Sequence, residues 1–111
     1  MKIVIQTGDI VTRSDIKELF QILPTHFSDS LCTFVVYASN NSSPSYYYNS
    51  KDKVFGFHSP KASGLNKTEA KTDIAVHLIA ALELGHLPDK LSASKLQHFR
   101  ETWSELCAKI T

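Results

Sequence analysis

Residues 73–88, DIAVHLIAALELGHLP, form the longest apolar run in the chain, and no other stretch limits the fold as strongly. Between Ala75 and Leu82 only His77 is polar. A helix at a protein surface shows one apolar stripe, whereas a helix that is apolar nearly all round must be covered on several sides. We therefore expect a buried helix over 68–85 that forms the packing axis of the fold. Asn66 followed by Glu69 resembles a capping box at its start, Gly85 suits its C-terminal cap, and Pro88 prevents continuation.

The remaining elements should wrap this helix. Ile3, Val4 and Ile5 are consecutive β-branched residues, which favour a strand over 1–6. Thr7-Gly8-Asp9 supplies turn chemistry. Thr12 or Ser14 then caps a helix whose Ile16, Leu19, Phe20 and Leu23 fall on one stripe, and Pro24 ends it. LCTFVVYA, residues 31–38, reads as the strongest strand, apolar on both faces, which suits a central position in the sheet or an exposed side covered by a helix. After the polar loop 39–44, residues 45–59 read as a hairpin: Tyr46–Tyr48 is one arm, Lys53–His58 the other, and 49–52 the turn. Gly56 inside the second arm marks a bulge or a close backbone approach. Residues 60–65 form a short linker. A last helix begins at Ser92 or Ser94 and carries the stripe Leu96, Phe99, Trp103, Leu106 and Ile110.

The expected fold is a single α+β domain over 1–111. It has a three- to four-stranded, mostly antiparallel sheet and three helices, in the order β-α-β-β-β-α-α, with helix 68–85 innermost. A chain of 111 residues supports one modest core and no second one. With 42% hydrophobic and 21% charged residues it has ordinary globular composition. A net charge of +1 lacks the basic excess of a strong non-specific nucleic-acid binder. Cys32 and Cys107 each sit in an apolar stretch, so two buried free thiols are expected. No stretch approaches the ~20 apolar residues of a membrane span, and the opening residues do not read as a signal peptide. A cytoplasmic, soluble protein is the expectation.

Three constellations bear on function. On the long helix, LELGH (82–86) looks like the HExxH signature with leucine in place of its first histidine, and His77 begins a register that lacks the other required residues. A zinc-peptidase helix needs two histidines as ligands and a glutamate to activate water. The layout resembles the zincin metallopeptidases and would imply a degenerate, inactive relative. Glu83 and His86 are the weak metal candidates, and no cofactor is expected.

The second constellation is KVFGF, residues 53–57, which resembles the RNP1 motif of RNA-recognition-motif domains. That resemblance implies RNA or single-stranded DNA binding, with Phe55 and Phe57 stacking on bases, Tyr46 and Tyr48 beside them, and Lys53 on backbone phosphate. Val54 stands where the motif has glycine, and Ile3–Ile5 offers no aromatic partner. Read from strand alternation instead, Phe55 and Phe57 are core-facing.

The third is the row Tyr46, Tyr47 and Tyr48, of which at least one must point away from the core. Tyrosine is large, stiff and half polar, and is enriched at interfaces. No nucleophile elbow, phosphate loop or other catalytic constellation appears. The favoured expectation is a small non-enzymatic binding protein acting through a protein partner or as a homo-oligomer, with Tyr46, Tyr47, Tyr48, Lys53, Phe55 and Phe57 as candidate binding residues.

Overall fold

The computed structural model describes residues 1–6, 11–37, 45–58, 66–86 and 92–109. The expected turn at 7–9, loop 39–44 and linker 60–65, together with Pro88 and Ile110, lie outside them.

Four strands are formed by the runs richest in β-branched and aromatic residues: β1 (Lys2–Ile5), β2 (Thr33–Val36), β3 (Ser45–Asn49) and β4 (Val54–His58). They make one sheet in the order β1-β2-β4-β3, so the run expected to be central does lie inside the sheet. The sheet is mixed rather than mostly antiparallel. β1 pairs with β2 and β2 with β4 in parallel, and only β3 runs antiparallel to β4. Parallel neighbours require a crossover, and α1 (Arg13–Ile22) supplies the one between β1 and β2. An addition to the expected order is the short helix α2 (Thr25–Asp29), which begins directly after Pro24 and buries Phe27.

The pairing register sorts side chains into two faces. Ile3, Phe34, Phe55 and Tyr48 form one row, and Ile5, Val36, Phe57 and Tyr46 the next. These rows belong to the hydrophobic core or pack against it, with residues from all the helices. The row between them, Val4, Val35, Gly56 and Tyr47, points the other way because strand side chains alternate. It stays outside the core.

The long helix, α3 (Lys67–Leu84), packs against α1 and against the last helix, α4 (Ala93–Ala108). From Ile74 to Ala81 every residue except His77 is buried. Its ends follow the expected chemistry. Asn66 Oδ1 accepts from the Glu69 amide at 2.8 Å, and Glu69 Oε1 accepts from the Asn66 amide at 3.1 Å. Gly85 closes the helix with φ 78°, a left-handed conformation that glycine adopts without steric penalty. α1 has its own capping box between Thr12 and Asp15, and α4 starts at Ser92, whose hydroxyl accepts from the Lys95 amide. Phe99 and Trp103 anchor α4 in the core.

Two ion pairs join α3 to α1: Lys67 with Asp15 at 3.4 Å and Lys71 with Glu18 at 2.9 Å. Neither cysteine is fully buried. Cys107 is half-buried and Cys32 is exposed, because Cys32 lies just before β2 at the end of the sheet rather than within its covered rows. No helix among the described residues is long and apolar enough to cross a membrane.

Candidate interaction face

The side of the sheet that faces away from the described helices is built around Gly56. A Cβ at this position would meet Tyr37 Cε1 at 3.0 Å and Cδ1 at 3.1 Å, and Tyr47 Cβ at 3.4 Å. The glycine therefore lets the Tyr37 ring lie close against β4, which accounts for a strand-interior residue that otherwise weakens pairing. Tyr37 is held there on two sides. Its hydroxyl is 2.8 Å from Ser45 Oγ, and its ring stacks on His58 with centroids 5.9 Å apart. Tyr47 rises from the neighbouring edge strand and is 50% exposed, while its hydroxyl accepts from Asn49 Nδ2 at 3.2 Å. Val35, Tyr37, Tyr46, Tyr47, Val54 and Gly56 line an open depression of about 460 Å³ on this side. None of these residues is charged, so the surface offers aromatic and aliphatic contact without the cost of stripping water from an ion.

The three tyrosines of β3 have separate fates. Tyr47 faces outward. Tyr46 and Tyr48 are half-buried and pack against the core from the edge of the sheet. Tyr46 stacks on His77 of α3, and its hydroxyl donates to Asp73 Oδ2 at 2.7 Å. His77, the one polar residue in the buried stretch of the helix, is satisfied through Nδ1, 2.7 Å from the Asp73 carbonyl.

Phe55 and Phe57 are completely buried on the helix side of β4. The stacking role that the RNA-recognition-motif resemblance implies requires open ring faces, and these rings have none; alternation in the strand turns both into the core. Lys53 is exposed in the hairpin turn, with φ 56°, and its carbonyl accepts from the amides of Cys32 and Thr33. The turn thus lies on the sheet's end, away from the Phe55 and Phe57 rings.

Glu83 and His86 do not share a turn of helix. Glu83 is on the last turn of α3, and His86 follows the left-handed Gly85, beyond the helix end. Both are exposed. Glu83 lines a smaller depression of about 240 Å³ with Pro24, His26, Phe27 and Leu106 among its neighbours. Among the described residues no three His, Cys, Asp or Glu side chains gather into a group able to hold a metal ion.

Tyr37, Asp73 and His58 are the residues whose roles the sequence did not reveal. Tyr37 looked like one more apolar member of a strong strand. Its signal was indirect: a glycine two rows away on a strand that had to pair with it. His58 is buried, with Nδ1 3.0 Å from the Tyr37 carbonyl. A carbonyl only accepts, so Nδ1 is the donor of this bond, and Nε2 is enclosed with no hydrogen-bond partner among the described residues.

Compared with protein-family models, with curated proteins and with solved structures, the chain matches none.

Proposed function

We propose that the chain is a small non-enzymatic binding module that meets a protein partner, or a second copy of itself, through the face of the sheet around the half-exposed Tyr47. The observation that carries this reading is the half-exposed Tyr47 ring beside an uncharged depression walled by Tyr37, Val35 and Val54. Large stiff aromatics at the centre of an apolar patch are the usual anchors of protein interfaces. The position of β3 at the end of the strand order supports the same surface, since it places Tyr47 at a rim that a partner can reach from the side. A cytoplasmic location fits this reading, because the free thiols of Cys32 and Cys107 suit a reducing compartment.

The test has two arms. Sedimentation velocity over a concentration series reads self-association, and Tyr47→Lys should weaken it while leaving the urea midpoint nearly unchanged. If the native chain stays monomeric, a photo-crosslinking amino acid at position 47 in cells should give a discrete protein adduct that the same probe at Glu101 on α4 does not. A strict monomer with no such adduct would overturn the proposal. So would saturable binding of short single-stranded RNA that Tyr47→Lys leaves intact.

A further inference from the structure

We draw no further inference here: the strongest candidate, the side-chain cluster at the end of β4 where the buried His58 imidazole stacks on Tyr37 and its Nε2 has no partner among the described residues, carries nothing because that atom is enclosed and His58 lines neither of the depressions described above.

Discussion

Tyr46 lies flat against His77, with ring centroids 3.8 Å apart and planes within 6° of parallel. The Tyr46 hydroxyl reaches past the histidine to Asp73, one turn earlier on α3. One side chain of β3 is therefore bonded to α3 through both its ring and its hydroxyl. This explains how a polar histidine is accommodated within the buried stretch of α3: the ring is stacked on one face and its Nδ1 proton is given to a backbone carbonyl.

The arrangement makes a measurable prediction. Tyr46→Phe keeps the ring, removes the hydrogen bond to the Asp73 carboxylate and should lower stability by about 1 kcal/mol. A double-mutant cycle between Tyr46→Ala and His77→Ala should return a favourable coupling of about 0.5–1.5 kcal/mol, the range for stacked rings. Additive single-mutant effects in urea melts would mean that the stack contributes nothing beyond burial.

Gly56→Ala should destabilise the sheet even though alanine is ordinarily no worse than glycine in a strand. The added methyl arrives 3.0 Å from the Tyr37 ring, and that ring is held by Ser45 and His58. We expect a loss of about 1–3 kcal/mol, as for overpacking elsewhere. In a Tyr37→Ala background the obstacle is gone, and the same substitution should become close to neutral. An equal cost in both backgrounds would locate the strain somewhere other than the Tyr37 contact.

Leu78→Ala and Ile79→Ala should each cost about 2–5 kcal/mol, because both side chains are fully buried at the centre of α3 and leave a cavity when truncated. Chemical denaturation reads this directly. A change below about 1 kcal/mol for both would contradict the burial of the helix.

Asp15 gives a pH dependence of known sign. Burial alone would raise its carboxyl pKa, but the Thr12 backbone amide and hydroxyl, together with Lys67, outweigh that and hold it below the usual aspartate value. A carboxylate depressed in the folded state adds stability above its unfolded pKa, and that contribution fades as pH falls through the folded value. Asp15→Asn should therefore lower stability by about 0.5–2 kcal/mol near neutral pH, the range for a helix cap. The gap between the two proteins should close below the usual aspartate range. A gap that persists unchanged in strong acid would show that shape rather than charge is responsible.

Much of this fold could be read from local chemistry. The cap at Asn66 and Glu69, the stop at Gly85 and the run from Ala75 to Leu82, apolar except for His77, defined α3 to within a residue, because each is a property of neighbouring side chains. For α1 and α4 the sequence offered two caps each, Thr12 or Ser14 and Ser92 or Ser94, and in both cases the first of the two is the cap. Strand direction was not legible. Alternation tells which residues of β1, β2 and β4 share a face but is identical for parallel and antiparallel neighbours, and here two of the three pairings are parallel. α2 escaped notice because five residues are too few to show a period. At the candidate face, Tyr47 was among the tyrosines singled out, but nothing local distinguishes it from Tyr46 and Tyr48; register against β4 does that. Tyr37 became visible only through a neighbour on another strand.

The order of elements also has a consequence for synthesis. All four strands precede α3 in the chain, so a growing polypeptide completes its sheet before the helix that closes it exists. Until then, among the described helices, α1 and α2 alone are available as cover, and the rings of Phe55 and Phe57, enclosed in the finished protein, lack the α3 packing. Nascent chains stalled at this stage present an apolar surface to anything nearby. A fragment ending before Asn66 should accordingly be prone to aggregate, and a separate peptide carrying α3 and α4 is the natural reagent to rescue it.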